Sequence, residues 1–198
     1  NPTCDRVHVS AGFFLSEEFR GRGYFAYKFY EVGFDRRPAY AEFVPDMALV
    51  GGPQSPQSEA VSKAVYTDAF VQRQEFKNRY DALSNADYVD ALEMNAEVTL
   101  ANRAALVAAL DGNQKTRAQV LRAVAEDETL RQAETNRAFV LMQYFGYLRR
   151  NPDDAPDTNF GGWFFWLDKL NQFNGNFVDA QMVQAFLDSI EYGDRFGH

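Results

Sequence analysis

The chain has 198 residues, of which 46% are hydrophobic, including 18 Phe and 10 Tyr. This is enough apolar material for a sizeable core, and it excludes a disordered chain. The formal net charge of −8 disfavours nucleic acid and anionic membranes as partners, because both are bound through clustered Lys and Arg. No stretch approaches the ~20 consecutive apolar residues of a membrane-spanning helix, so we expect no transmembrane segment.

The first residues carry neither an initiator Met nor an apolar leader, so we expect that any signal peptide was removed or lay upstream. Cys4 is the single cysteine and therefore has no partner within the chain for a disulfide. The sequence predicts either a free thiol at Cys4 or a partner outside these residues.

One pattern recurs along the chain: an aromatic residue, Ser three positions later, and then Glu followed by an aromatic residue. It runs from Phe13 to Phe19 and again from Phe186 to Tyr192; the stretch from Phe70 to Phe76 keeps the frame, and Val124 to Leu130 is a weaker copy. A second signature is a helical apolar run that ends in Arg-x-Pro, at Arg36-Arg37-Pro38 and at Arg150-Asn151-Pro152. Proline disfavours helix in the residue before it, so each Arg-x-Pro predicts a helix end.

The other elements follow from spacing and composition. The stretch from Gly51 to Pro56 predicts a flexible connector. Further on, good helix formers predict helices at 101–110 and 117–130, separated by a break at 111–113. Apolar residues at helical spacing predict a helix over 138–149, with Asn136 as its N-cap.

These signatures predict an all-α fold of tandem helical units, about three helices each, with little or no sheet. Each complete unit is expected to contain an aromatic helix that ends at Arg-x-Pro, a second helix, and a third helix that ends in the Glu-aromatic signature. On this frame residues 1–22 are the tail of a preceding unit, and 23–83 is a complete unit. A degenerate unit follows at 84–133, and 134–198 is a second complete unit with an Asp- and Asn-rich loop. We therefore expect the chain to be part of a longer array.

The segment 153–168 is dense in oxygen ligands. Counted from Asp157, it places Asn159 third, Gly162 sixth and Asp168 twelfth, which approximates a calcium-binding EF-hand loop, and Asp153 lies just before it. The usual twelfth residue is Glu, however, and the simpler interpretation is that these side chains cap the helix that begins near Gly162. The two alternatives are a calcium site at Asp153, Asp157, Asn159 and Asp168 and a set of helix caps with no cofactor.

Trp163 and Trp166 are three residues apart and so lie on one helix face. Such a face is typical of sugar-binding sites and protein interfaces when it points outward, and of an ordinary core when it points inward. Trp163 and Trp166 are therefore candidate glycan-binding or partner-binding residues, with core packing as the alternative.

No catalytic constellation emerges from the sequence. The only histidines, His8 and His198, lie near the two ends of the chain and belong to no cluster with metal-ligand spacing. Glu17, Glu18 and Glu191 recur within the repeated signature, which favours structural contacts, for example between Glu191 and Arg195. Arg36 and Arg150 predict either charges that face helix C-termini or salt bridges between units.

Four features carry a family resemblance: the run 139–150, the Asn151-Pro152-Asp153 stop, the Gly162-Trp163-Phe164-Phe165-Trp166 helix start and the ending at 186–196. Together they resemble a bacterial domain of unknown function that is found on secreted surface proteins and is similar to the phycobilisome-linker domain. The resemblance covers nearly the whole chain. It implies an extracytoplasmic helical module with no established reaction, and it implies that Cys4 is half of a short disulfide loop. The unit 84–133 departs from the pattern because it lacks both Arg-x-Pro and Trp.

The sequence therefore predicts a non-catalytic structural or assembly module of a larger secreted or cell-surface bacterial protein. Its expected partners are other copies of itself or other surface proteins, and possible ligands are a glycan or calcium at 153–168. A carbohydrate- or calcium-binding module is the first alternative, and a carboxylate-based hydrolase is the last.

Overall fold

The fold is all-α, as the sequence predicts. A computed structural model describes residues 5–51 and 56–197, and these ranges contain helices and turns but no strand. Within them no helix is both long enough and apolar enough to cross a bilayer. The helices are α1 (Arg6–Leu15), α2 (Glu17–Phe19), a π-helical turn (Arg20–Tyr24), α3 (Phe25–Phe34), α4 (Tyr40–Gly51), α5 (Pro56–Val71), α6 (Gln74–Tyr80), α7 (Asn85–Asn95), α8 (Arg103–Asp111), α9 (Arg117–Ala125), α10 (Glu128–Gln143), a second π-helical turn (Tyr144–Leu148), α11 (Gly161–Gln172), α12 (Met182–Leu187) and α13 (Ile190–Phe196).

The chain divides into two compact units. One is Arg22–Gln132, which combines the predicted units 23–83 and 84–133, and the other combines Asn1–Gly21 with Ala133–His198. Three predicted features concern residues outside the described ranges: Cys4, His198 and most of the connector after Gly51.

Helix α3 is the centre of the unit Arg22–Gln132. Nearly all of its residues are buried, which is the pattern of a helix that is apolar all round. Phe29 meets Tyr66 edge to face with ring centroids 5.2 Å apart, and Phe34 stacks on Phe70 at 4.8 Å. Helices α4, α7 and α9 pack around α3, and α5 packs on α4 and α9. Aromatic pairs of this kind add specific geometry to the burial of apolar area.

The other unit is built around the turn Tyr144–Leu148. Phe14 of α1 packs edge to face against Tyr147 with a centroid distance of 5.3 Å, and α1 also packs on α12. A Cβ on Gly146 would lie 2.3 Å from the ring of Phe14, so only glycine allows this approach. Trp163 of α11 lies in the core of the unit.

The prediction that a helix ends in the Glu-aromatic signature is wrong, because the signature begins a short helix instead. The residue before each short helix, namely Ser16, Arg73 and Ser189, has nearly the same extended backbone, with φ between −67° and −59° and ψ between 142° and 147°. The hydroxyls of Ser16 and Ser189 each accept a hydrogen bond from the backbone N–H three residues on. The recurring Ser is therefore an N-cap, which satisfies one of the free N–H groups of the helix.

Two predicted boundaries are wrong. Asn136 is not an N-cap, because α10 already begins at Glu128; the carboxylate of Asp127 accepts from the N–H of Thr129 and so caps that helix. The predicted helix 117–130 ends at Ala125 and a new helix starts after Asp127. Asn136 instead lies inside α10, where it donates a side-chain hydrogen bond to Asn171.

Candidate functional site

Arg150 is a buried cation that holds the end of one helix against the start of another. The preceding residue, Arg149, has a left-handed backbone (φ 49°) that ends the helical turn. The guanidinium of Arg150 donates to both carboxylate oxygens of Glu191, at 2.7 and 3.0 Å, and to Asp157 at 2.8 Å. It also donates to the carbonyls of Asn151 and Asp154. Bidentate pairing of this kind is stronger and more directional than a simple ion pair.

Arg36 repeats this arrangement in the other unit. It follows Asp35, which also has a left-handed backbone (φ 52°), and it donates to Glu42 at 2.8 and 2.9 Å and to Glu75 at 2.9 and 3.3 Å. The guanidinium lies over the ring of Tyr30 at 5.1 Å, just as that of Arg150 lies over Tyr144 at 5.4 Å. We call these two sets the arginine clamps.

The arginine clamps explain why the two sequence signatures occur together. The Arg of Arg-x-Pro binds the Glu of the Glu-aromatic signature inside the same predicted unit: Arg36 with Glu75, and Arg150 with Glu191. The predicted salt bridges between units are therefore wrong for these arginines. The predicted contact from Glu191 to Arg195 is present at 3.1 Å.

Burial opposes the charge on Glu191, but its hydrogen bonds and its attraction to Arg150 and Arg195 outweigh that cost and hold its pKa below the usual value. The carboxylate of Glu191 therefore has a structural role: it binds Arg150, at the end of the turn Tyr144–Leu148, to α13.

The four candidate calcium ligands have different surroundings. Asp157 accepts from Arg150, and Asn159 accepts from the N–H of Gly161 at 2.7 Å; the N-cap of α11 is Phe160, which makes no side-chain cap hydrogen bond. Asp153 and Asp168 are exposed. Across residues 5–51 and 56–197, no group of three or more His, Cys, Asp or Glu side chains is placed to hold a metal ion. The calcium site stays a prediction.

The tryptophan face predicted on α11 points largely inward. Trp163 is only 1% exposed and packs in the core, while Trp166 is half-buried against Phe186 with ring centroids 5.8 Å apart. The aromatic side chains that α11 exposes are instead Phe164 (51%) and Phe165 (58%). The prediction that Trp163 contributes to an outward-facing binding surface is therefore wrong, because its indole ring is buried in the core.

A buried polar network lies beside α3. The carboxylate of Asp46 is almost completely buried and accepts from Tyr30 at 2.8 Å, Tyr66 at 3.2 Å and Arg73 at 2.6 Å. Burial, followed by the negative charge of Asp46, raises the pKa of both tyrosines, so they stay protonated donors. Each of these groups has a partner, as buried polar groups require, and the network joins α3, α4 and α5.

Lys28 is a buried amine in the middle of α3, 8% exposed. Its cationic neighbours have carboxylate partners: Lys63 pairs with Glu59 at 2.7 Å, and Arg131 pairs with Glu128. Burial is the main cause that lowers the pKa of Lys28 to about 8; the positive charges of Arg131 and Lys63 add to it, and Glu126 and Glu128 oppose it. The ammonium form of Lys28 is therefore costly in the folded unit.

Helices α4 and α5 carry an uncovered apolar surface. Both turn their buried sides toward α3, through Phe43 of α4 and through Tyr66 and Phe70 of α5, so their opposite sides face away from it. On those sides Val44 is 44% exposed, Leu49 55%, Val61 62% and Val65 59%. We call this surface the α4–α5 face; its exposed apolar members are Ala41, Val44, Pro45, Ala48, Leu49, Ala60, Val61, Ala64 and Val65, and the α5 stripe continues into the exposed Asp68 and Ala69.

The sequence signal for the α4–α5 face is the spacing itself. Ala60, Val61, Ala64 and Val65 follow the i, i+1, i+4, i+5 pattern of one helix stripe. This stripe alone looks like a core-facing side; only the packing shows that the core is contacted by Tyr66 and Phe70 instead.

An open groove lies between the end of α5 and the start of α9, lined by Asp68, Gln72, Thr116 and Arg117. Arg117 donates to the carbonyls of Tyr80 and Leu83, and Thr116 forms a capping box with Gln119. The polar groups at the α9 side of the groove are thus used in holding the unit together.

Searches against models of known protein families, against curated proteins and against solved structures each returned no match.

Proposed function

We propose that this chain is a non-catalytic assembly module of a larger secreted or cell-surface bacterial protein, and that it works by associating with copies of itself. The observation that carries the proposal is the α4–α5 face. Four aliphatic side chains on it are between 44% and 62% exposed, and single exposed apolar residues are common whereas grouped ones mark interaction sites.

The distribution of charge supports the same proposal. Two copies of a chain with net charge −8 repel each other, so contact is favoured where charge is sparse. The nine apolar residues of the α4–α5 face carry no charge and the nearby Glu59 pairs with Lys63 at 2.7 Å, while one exposed carboxylate, Asp68, follows a turn after Ala64. The carboxylates of both arginine clamps, in contrast, are bound to arginine, which favours a structural role for them over catalysis.

The secreted, cell-surface setting is proposed from the resemblance to the bacterial domain of unknown function. The nearly repeated clamps are in keeping with a module used in arrays, where neighbouring units bury each other's surfaces.

The test is sedimentation equilibrium of the purified chain up to about 1 mM at low and high NaCl. We expect the weight-average mass to rise with concentration and to rise further in salt, because salt screens the repulsion between acidic copies and does not weaken apolar contact. A chain that stays monomeric at every concentration and salt level would contradict self-association.

A further inference from the structure

Lys28 has a buried amine that self-association does not use. The residue lies in the middle of α3 and is 8% exposed. Among residues 5–51 and 56–197, no hydrogen bond or ion pair reaches this amine. The nitrogen is not one of the completely covered polar atoms that lack a partner, so the stem of the side chain is buried while its tip meets solvent. The amine is therefore unpartnered, and a small molecule can reach it.

The carboxylates nearest to Lys28 are bound to other cations. Glu126 and Glu128 both favour the charged form of Lys28. However, Glu126 pairs with Arg122 at 3.0 Å, and Glu128 pairs with Arg131. Arg131 itself disfavours a positive charge on Lys28. Neither of the two carboxylates is therefore left to pair with an ammonium at this position.

An aromatic ring and two further cations lie on the same side of α3. Phe25 is one turn before Lys28, and its buried ring has the amine of Lys63 at 5.1 Å and the guanidinium of Arg122 at 5.7 Å from its centre. The positive charge of Lys63 disfavours a second ammonium beside it. Burial penalises a charge of either sign, so an uncharged group is the form that suits the end of the Lys28 side chain.

We infer that Lys28 is a site at which small aldehydes bind covalently as imines. The lone pair of the neutral amine attacks the carbonyl carbon and forms a C–N bond; the resulting carbinolamine loses its hydroxyl group and the remaining N–H proton as water, which leaves C=N in place of C=O. Nothing is oxidised or reduced in this step. The imine is uncharged, as the site requires, and the aldehyde must be small because only the tip of the side chain is open. This inference does not depend on the proposed self-association.

The protonation of Lys28 sets the expected preference. Burial is the main cause that lowers its pKa from 10.5 to about 8. At pH 7 about one folded chain in ten then carries the neutral amine, against about one in three thousand for an unshifted lysine. A less basic group is also a weaker nucleophile, which offsets part of this gain of about 300-fold. We therefore expect Lys28 to form the adduct about tenfold faster than an exposed lysine.

The experiment is reductive labelling of the wild-type chain with acetaldehyde and cyanoborohydride at pH 7, followed by peptide mapping with mass spectrometry. Cyanoborohydride reduces each imine to a stable secondary amine, so the label records where imines form. The chain has five lysines, and the exposed Lys115 is the reference within the same molecule. We expect Lys28 to be labelled about tenfold faster than Lys115 in the folded chain and at an equal rate in concentrated urea, where burial is lost.

A pH series separates a deprotonated amine from one that is merely easy to reach. Trace acetylation with acetic anhydride, which reacts only with neutral amines, serves as the readout. In the folded chain the rate at Lys28 should stop rising above about pH 8, whereas in urea the rate at the same residue should continue to rise toward pH 10.5.

A bulky aldehyde tests the limit on size. Pyridoxal phosphate should label Lys115 at least as fast as Lys28, because the stem of Lys28 is covered. Labelling of Lys28 by acetaldehyde no faster than that of Lys115, or a preference that persists in urea, would overturn the inference. A preference of pyridoxal phosphate for Lys28 would also overturn it, since the site would then not be restricted to small aldehydes.

Discussion

Lys28 offers a quantitative test of how the core of the unit Arg22–Gln132 is organised. Its amine is 8% exposed, and burial is the chief cause that lowers its pKa from 10.5 to about 8. A lowering of this size corresponds to about 3 kcal/mol that the charged amine costs the folded state near neutral pH. Lys28→Met removes the charge and keeps an unbranched apolar side chain, so we expect the free energy of unfolding at pH 7 to rise by about 1 to 3 kcal/mol.

The sign of the pH dependence follows from the direction of the shift. Between pH 8 and 10.5 the unfolded chain binds more protons at Lys28 than the folded chain, so the stability of the wild type rises with pH across this window. Lys28→Met lacks that rise. Its advantage is therefore full below about pH 8 and is lost as the pH approaches 10.5.

The assay is urea unfolding followed by far-UV circular dichroism at pH 7 and pH 10.5, since both tryptophans belong to the other unit. Lys115→Met is the control: Lys115 is exposed, and its replacement should change stability by less than about 0.5 kcal/mol. Destabilisation by Lys28→Met at pH 7, or a gain that stays equal at both pH values, would refute the reasoning.

Three further predictions concern the other unit and can be followed by tryptophan fluorescence or thermal melting. Arg150→Ala leaves Glu191 and Asp157 without their main cation, so we expect it to lower the free energy of unfolding by about 2 kcal/mol, against less than about 1 kcal/mol for the more exposed Arg195→Ala. Because the pKa of Glu191 is held below 4.5, the advantage of the wild type over Arg150→Ala should shrink as the pH falls below 4.5. An equal loss of stability in both variants would count against the clamp. Gly146→Ala places a methyl group 2.3 Å from the ring of Phe14, so we expect it to lower the free energy of unfolding by about 1 to 3 kcal/mol. Gly12→Ala lies in open space on α1 and should raise the free energy of unfolding by up to about 1 kcal/mol. Equal effects of the two variants would contradict the packing of Phe14 on Gly146. The calcium prediction requires that about 1 mM calcium raises the melting temperature of the wild type and not of Asp157→Ala or Asn159→Ala. No rise in the wild type would leave Asp157 as a partner of Arg150 and Asn159 as an acceptor for the N–H of Gly161.

Much of the fold follows from local sequence. Apolar residues at helical spacing and an Arg-x-Pro stop were enough to predict an all-α chain and helix ends near Arg36 and Arg150, because spacing and proline act on the backbone within a few residues. The recurring Ser-x-Glu-aromatic signature, which was expected to end the third helix of a unit, instead begins a short helix, because the side chains of Ser16 and Ser189 act as N-caps. Composition did not separate α9 from α10, since no Gly or Pro marks the break between Ala125 and Glu128.

The sequence by itself thus determined the all-α class, the helix ends near the Arg-x-Pro stops and the acidic character of the chain. Only the tertiary structure decided which charges pair, because Arg36 and Glu75, and Arg150 and Glu191, are far apart in the chain and meet only when the helices between them fold back. It also decided which apolar residues are covered. Trp163 enters the core while Val61 and Val65 stay exposed, since helical spacing defines a stripe on each helix but not the side from which a neighbour packs against it.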